Sequence, residues 1–129
     1  MHDVNAESRS IEPRVSGEEA RKLYLNHAPR EGRKTVAAVM TSFNKIEDVR
    51  KNLAAQREQT IKFDQMIVVD NASSDGTIDM IRAEFPEVHL VLMHDSSYGA
   101  CETFNIGFGN AWTDYVAILD DDVVLPPEW

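Results

Sequence analysis

The sequence predicts an α/β domain in which a mostly parallel sheet is flanked by helices on both faces. Four short apolar runs of strand length alternate with three segments whose apolar residues recur at helical spacing. The runs are continuously apolar, which is typical of strands that are buried on both faces. Because helical segments separate the runs, we expect parallel strands joined by right-handed crossovers.

The elements are expected in the following order along the chain. The four predicted strands are 35–40, 66–69, 88–93 and 115–119. Asn44 and Glu47 match a capping box at the start of the first helix. The turn-forming cluster at 73–76 precedes the second helix, which ends at Pro86. In the third helix, Phe104, Phe108 and Trp112 follow at helical spacing.

The chain divides into an extension and one domain. We expect residues 1–33 to form an N-terminal extension with a short helix, and residues 34–129 to form the α/β domain. The sequence ends ten residues after the fourth predicted strand, so we expect a truncated piece of a larger fold. Its last strand would expose an edge, which favours self-association into a homo-oligomer.

Composition limits the possible classes of function and the cellular compartment. The 129 residues include 13 Lys plus Arg and 22 Asp plus Glu, giving a formal charge of −9. This acidic balance argues against binding of nucleic acid by bulk charge. Cys101 is the single cysteine, which excludes an internal disulfide framework and indicates a reducing, cytoplasmic setting. We expect Cys101 to pack as a small apolar group. No apolar run approaches the roughly 20 residues of a membrane-spanning helix.

An acidic triplet, Asp120-Asp121-Asp122, follows the fourth predicted strand directly. In extended backbone, residues two positions apart point the same way, so we expect Asp120 and Asp122 to converge while Asp121 faces away. Converging carboxylates repel each other unless a cation lies between them, and their oxygens suit Mg²⁺ or Mn²⁺. A diphosphate can fill the remaining coordination positions. The alternative is a solvated acidic turn.

Two further strand ends carry candidate ligand-binding residues. Asp70 ends the second predicted strand, and ligands of open α/β sheets bind outside the carboxyl ends of strands. Its carboxylate can accept a hydrogen bond from a ribose hydroxyl or a base imino group. After the first strand, the ring of Phe43 can stack on a base or pack on the core beneath the loop. For Ser74, Asp75 and Gly76 we favour helix capping.

Together these motifs resemble the N-terminal half of a family 2 glycosyltransferase with the GT-A fold, a Rossmann-like architecture. The resemblance extends from 35 to 129, and it depends on motifs in the family's order. These are VMTSFN at 39–44, IVVDNASSDGT at 67–77, a looser match from Gly99 to Gly107, and LDDD at 119–122 as the DXD-type motif.

The resemblance implies a hexosyltransferase-type enzyme that is metal-dependent and inverting, with a UDP- or dTDP-sugar donor and a carbohydrate or glycolipid acceptor. It implies a cytoplasmic location that includes the inner face of the membrane. Asp120 and Asp122 would bind Mn²⁺ or Mg²⁺. The donor-binding residues it implies are Thr41, Phe43, Asp70, Asn71, Asp120 and Asp121. The family's general base lies downstream of the DXD motif, so we expect it beyond residue 129, and a chain without it would bind donor but not transfer sugar.

Two other classes compete with this interpretation. A receiver-like, non-catalytic phospho-acceptor domain also places acids at strand ends beside Mg²⁺, but its acidic pair follows an early strand and it needs a lysine after a late one. A nucleotidyltransferase would carry a glycine-rich basic loop after the first strand, and residues 41–45 contain no glycine.

Overall fold

The computed structural model describes residues 32–129, so the expected helix of the N-terminal extension lies outside the described residues. Strands and helices alternate in this part of the chain, as predicted. In order, they are β1 (Val36–Ser42), α1 (Ile46–Arg57), β2 (Gln65–Asp70), α2 (Thr77–Glu84), β3 (His89–Leu92), α3 (Ala100–Gly109) and β4 (Tyr115–Leu119).

The four strands form one parallel sheet in the order β3-β2-β1-β4. All six residues of β2 are buried, and β1 is buried over most of its length, as their continuous apolar sequences predict. β1 lies between β2 and β4, so the fourth strand in sequence pairs with the first strand and not with the third. The predicted α/β fold is confirmed.

The helices cover both faces of this sheet. On one face, Val49 and Leu53 of α1 and Ile81 of α2 pack with the side chains of Ala38 and Met40. On the other face, the aromatic residues of α3 pack against alternate residues of the same strands, including Val39 and Val69. The apolar core therefore forms two layers with the sheet between them.

Several local predictions need correction. The N-cap of α1 is Lys45 and has no side-chain capping bond, so the box predicted from Asn44 and Glu47 is absent. Asn44 instead adopts a positive φ of 50° and bonds to a neighbouring loop. The third helix ends at Gly109, before Trp112. Cys101, which we expected to be packed as a small apolar group, is exposed.

Candidate functional site

Three segments that carry the predicted site residues leave the sheet side by side. Since β2, β1 and β4 are neighbours and parallel, their carboxyl ends lie at one edge. Ser42 is paired with Asp70, and Leu119 with Met40, so all three strands end at nearly the same level. The segments are the β1–α1 loop (43–45), the β2–α2 loop (71–76) and the acidic turn (120–123). This edge is where ligands of open α/β sheets bind.

Asp70 joins the first two of these segments. Its carboxylate is fully buried (0% exposed). It accepts hydrogen bonds from Ser42 Oγ at 2.7 Å, and from the main-chain N–H and hydroxyl of Ser73 at 2.7 Å each. Both carboxylate oxygens are thus used inside the protein. This burial counts against the direct donor contact predicted for Asp70 and favours a role in holding the two loops together.

More hydrogen bonds tie these loops to each other. Asn44 donates its main-chain N–H to Ser73 Oγ at 2.9 Å and accepts the N–H of Ser74 on its side-chain oxygen at 2.7 Å. Asp75 accepts the N–H of Ile46, at the start of α1, at 3.0 Å. The paired loops therefore form one connected unit, and a ligand resting on them would meet a pre-ordered surface.

Asn71 brings the loop after β3 into the same arrangement. Its amide nitrogen donates to the carbonyl of Tyr98 at 3.0 Å, and its main-chain N–H donates to the carbonyl of Ser42 at 2.8 Å. The side-chain oxygen is buried and has no hydrogen-bond partner within residues 32–129. Buried acceptors are normally bonded, so this oxygen is suited to receive a donor group from a ligand.

Thr41 and Phe43 lie on either side of the end of β1. Thr41 is a partly buried residue of the strand, paired with Val69. Phe43 follows the strand, and 45% of it is exposed to solvent. An aromatic ring exposed to this extent is available for stacking, so its environment favours the binding interpretation over packing on the core.

The acidic triplet does not continue the strand. β4 ends at Leu119, and the N–H of Val123 donates to the carbonyl of Asp120 at 3.3 Å, which closes a turn. The rule that alternate side chains share a face applies to extended backbone only, so it does not apply to this turn. Asp120 and Asp122 are both exposed, and their convergence on a cation stays a prediction.

Asp121 differs from its two neighbours. Its side chain is mostly buried, and its carboxylate lies 3.6 Å from the ammonium of Lys45. Burial raises the pKa of Asp121 above its usual range; Lys45 opposes this shift, while the charge of Asp122 adds to it. Among the three acids, Asp121 is therefore the one already engaged with a protein cation.

The donor chemistry of Asp120 and Asp122 fits Mg²⁺ or Mn²⁺, because both supply exposed carboxylate oxygens. They do not form a ready-made cage: within residues 32–129, no three His, Cys, Asp or Glu side chains are grouped so that they could hold a metal ion. Nor does any hydrogen bond or ion pair in that range join Asp70 to the acidic turn. A cation here would need ligands from elsewhere, such as a diphosphate.

Several residues that were not predicted as site residues also organise this edge. Ser42 and Asn44 link the loops, and Lys45 pairs with the acidic turn. Asn52 of α1 donates to the carbonyl of Asp120. A signal for Asn52 was present, since it lies three residues after Val49 on the face of α1 where helical spacing places core residues.

A parallel α/β sheet with polar loops and an acidic turn at its carboxyl edge is the architecture of open α/β domains that bind ligands at that edge. Residues 37–129 match the model of the glycosyl transferase family 2. The chain therefore belongs to glycosyltransferase family 2, and the predicted family is confirmed.

Curated relatives agree with this assignment. The chain is 30% identical over 102 residues to the undecaprenyl-phosphate 4-deoxy-4-formamido-L-arabinose transferase of Photorhabdus laumondii, an alignment that covers 74% of this chain and 31% of the relative. It is 29% identical over 97 residues to the chondroitin synthase of Escherichia coli, with coverage of 73% and 14%. The chain thus spans about a third or less of the length of these relatives.

Solved structures share the GT-A fold. The mannosyltransferase PcManGT from Pyrobaculum calidifontis, in complex with GDP-Man and Mn²⁺, has a TM-score of 0.61 and 24% identity, with 85% of this chain and 37% of that chain covered. Residues 1–349 of TarS from S. aureus, in complex with UDP, have a TM-score of 0.65 and 19% identity, with coverage of 73% and 29%. The predicted Rossmann-like GT-A architecture is confirmed.

None of the helices within residues 32–129 is long and apolar enough to cross a membrane.

Proposed function

We propose that this chain supplies the donor-binding part of a glycosyltransferase that moves a sugar from a UDP- or dTDP-linked donor to an acceptor hydroxyl, with inversion. The observation that carries the proposal is the common edge at which the two cross-linked loops and the acidic turn leave neighbouring strands. A nucleoside diphosphate has a base, a ribose and a charged pyrophosphate, and this edge offers a distinct group for each.

The base and ribose would lie against the paired loops. Phe43 offers an exposed ring for stacking, and Thr41 lies just before it at the strand end. The side-chain oxygen of Asn71 can accept a hydrogen bond from a base N–H group, which would satisfy this buried acceptor. In this proposal Asp70 acts by fixing the loops through Ser42 and Ser73.

The acidic turn would engage the ribose and pyrophosphate. Asp120 and Asp122 would hold Mn²⁺ or Mg²⁺, and Asp121 would remain with Lys45 and contribute to the donor surface. The chemistry that the metal ion supplies when bound is neutralisation of the negative charge on the diphosphate leaving group. In a chain with a formal charge of −9, a cation is also what allows an anionic donor to approach this turn.

The transfer step forms one bond and breaks one. The acceptor oxygen bonds to the anomeric carbon, the bond from that carbon to the diphosphate oxygen breaks, and the acceptor's proton passes to a general base. We assign no base within residues 32–129. We therefore expect this chain to bind donor, with the base supplied by a region that corresponds to the remaining length of its relatives.

The names of related proteins support the choice of substrates. A curated relative is a transferase of 4-deoxy-4-formamido-L-arabinose, a pentose derivative, and its name gives undecaprenyl phosphate, a lipid phosphate, as acceptor. Structures with the same fold are complexes with GDP-Man and Mn²⁺ or with UDP. We infer a nucleotide-sugar donor and a carbohydrate or glycolipid acceptor at the cytoplasmic face of a membrane.

Thermal unfolding of the 129-residue chain with UDP, dTDP or GDP tests the proposal, with Mn²⁺ present or removed by EDTA. At a hundredfold excess over Kd, bound ligand adds about 2.7 kcal/mol of stability, which corresponds to a rise in Tm on the order of 10 °C for a domain of this size. We expect a rise with at least one nucleotide, and only when Mn²⁺ is present.

The variant Asp122→Asn tests whether the Mn²⁺-dependent rise in Tm depends on the acidic turn. This side chain is exposed, so we expect unchanged Tm without ligand and loss of the Mn²⁺-dependent rise. Glu58→Gln is the matched control, because it also removes one negative charge, at the C-cap of α1 and outside the acidic turn. If no nucleoside diphosphate stabilises the chain, the proposed function is contradicted. If Tm rises equally in EDTA, the proposed metal dependence is contradicted.

A further inference from the structure

The buried face of α1 carries polar side chains where a core helix normally places apolar ones. Asn52 and Gln56 are 0% and 2% exposed, and Gln59, just past the helix, is 3% exposed. Burying an amide is unfavourable unless its polar atoms are hydrogen-bonded. These side chains therefore need partners, and their partners show what they do.

The amide groups hold the main chain that follows β4. Asn52 Nδ2 donates to the carbonyl of Asp120 at 2.8 Å, and Gln59 Nε2 donates to the carbonyl of Pro126 at 2.8 Å. The main-chain N–H of Thr60 donates to the carbonyl of Pro127 at 2.8 Å. The segment after β4 is thus attached at both of its ends, to α1 at the acidic turn and to the residues just past α1 near the prolines.

Gln56 sets the orientation of Asn52. Its Nε2 donates to Asn52 Oδ1 at 2.7 Å, which leaves Asn52 with its own amide nitrogen directed at Asp120. The other end of Gln56 is less well satisfied, because Oε1 is buried and has no hydrogen-bond partner within residues 32–129. A buried acceptor without a partner is unfavourable. The folded protein therefore keeps the bond from Asn52 to the acidic turn although Oε1 of Gln56 remains without a hydrogen bond.

We propose that Asn52 is a positioning residue for cation and diphosphate binding by the acidic turn. Asp120 and Asp122 are exposed, so the placement of their carboxylates depends on the main chain that carries them. That main chain leaves the sheet at Leu119, and the bond from Asn52 fixes its first residue outside the strand. Asn52 itself is fully buried and acts only through Asp120. This inference rests on the proposed function, since it concerns the same metal and nucleotide.

The test compares Asn52→Leu with Gln59→Leu. Both variants replace a buried amide that donates to a carbonyl of the same segment, so we expect similar losses of stability in urea unfolding. Only Asn52→Leu removes the bond at the acidic turn. By titration calorimetry with UDP and Mn²⁺, we expect its affinity to fall about five- to tenfold, as for one lost hydrogen bond, and that of Gln59→Leu to stay within about twofold of wild type.

A second readout does not depend on nucleotide binding. The N–H of Val123 closes the acidic turn on the carbonyl of Asp120, so hydrogen–deuterium exchange at Val123 reports how firmly the turn is held. We expect faster exchange there in Asn52→Leu and in Asn52→Asp, which keeps the shape of the side chain but loses the donor. Gln59→Leu should exchange at the wild-type rate at this position.

The two readouts separate the possible failures. Equal affinity losses in the Leu variants of Asn52 and Gln59, or wild-type exchange at Val123 in both Asn52 variants, would overturn the positioning role. If the wild-type chain shows no Mn²⁺-dependent affinity for UDP, dTDP or GDP, the proposed function is overturned. The exchange rates then still decide whether Asn52 holds the turn.

Discussion

At the residue scale, one carboxylate links the starts of two helices. Asp75 accepts the main-chain N–H of Thr77, in the first turn of α2, at 3.0 Å on one oxygen, and the N–H of Ile46, in the first turn of α1, at 3.0 Å on the other. Burial raises the pKa of Asp75, but hydrogen bonds from Thr77 and Ile46 outweigh this, so its pKa is below the usual range. The ionised form is thus the one that the folded protein favours.

We predict that Asp75→Asn lowers the free energy of unfolding by about 1 kcal/mol at pH 7, as for a lost helix cap. Because the folded pKa lies below the unfolded one, the contribution of Asp75 is present above its ordinary pKa and is lost as pH falls through the folded value. Urea unfolding at pH 7 and below about pH 4 should therefore show a smaller acid-induced loss in the variant than in wild type. Ser74→Ala is the control, since Ser74 bonds to the neighbouring loop through its main-chain N–H. Equal stability at pH 7 would show that the bonds of Asp75 contribute nothing.

Individual residues also show where inference from sequence stops. That Asp70 ends a buried strand could be predicted from the apolar run before it, and that position favoured a ligand. Its partners could not be predicted, because they are Ser42, 28 residues earlier, and Ser73, whose approach depends on the path of the loop. The same holds for Asn52, whose partner lies 68 residues away. Long-range pairing decides which polar groups remain open to a ligand.

At the element scale, close packing of α3 on the sheet depends on one glycine. A Cβ atom at Gly107 would lie 2.5 Å from Val39 Cγ1 and 3.3 Å from Val69 Cγ2. Both neighbours are branched side chains in a two-layer core, so they have little room to retreat. A glycine is therefore needed at position 107 of α3 because the helix packs closely on β1 and β2 there.

Gly107→Ala should accordingly destabilise the protein, by about 1–3 kcal/mol, as overpacking of a core does. Gly109→Ala provides the matched comparison, because a Cβ there would meet no atom within 4 Å. That variant should be neutral or slightly more stable, since alanine favours helix over glycine. Denaturant unfolding of both variants measures the difference. A Gly107→Ala protein as stable as Gly109→Ala would mean that α3 shifts away from the sheet without cost.

Elements could be predicted better than their ends. The four strands were found because burial on both faces leaves continuous apolar runs, and each observed strand overlaps its predicted run. The start of α1 was missed because Asn44, a good capping residue, is instead bonded to Ser74 across the loops. Capping preferences are local, and a tertiary partner can outweigh them.

At the scale of the whole molecule, the sheet is covered unevenly. Helices cover both faces of β2 and β1, while β4 is exposed over most of its length. The sequence of β4 is nevertheless as continuously apolar as that of the buried strands. In the order β3-β2-β1-β4, no strand within residues 32–129 lies on its outer side. An apolar edge strand with unpaired main-chain groups favours pairing with another chain.

We therefore predict that this chain associates with itself through β4 in a concentration-dependent manner, which sedimentation velocity can measure. Ile118 is 59% exposed on that strand, so Ile118→Lys should shift the chain towards monomer by placing a charge at the edge. Ile61→Lys makes the same change at a residue that is 66% exposed but lies in the loop between α1 and β2, outside β4. It should leave association unchanged. If both variants dissociate equally, net charge and not the β4 edge controls association, and a monomeric wild-type chain at high concentration would exclude pairing at this edge.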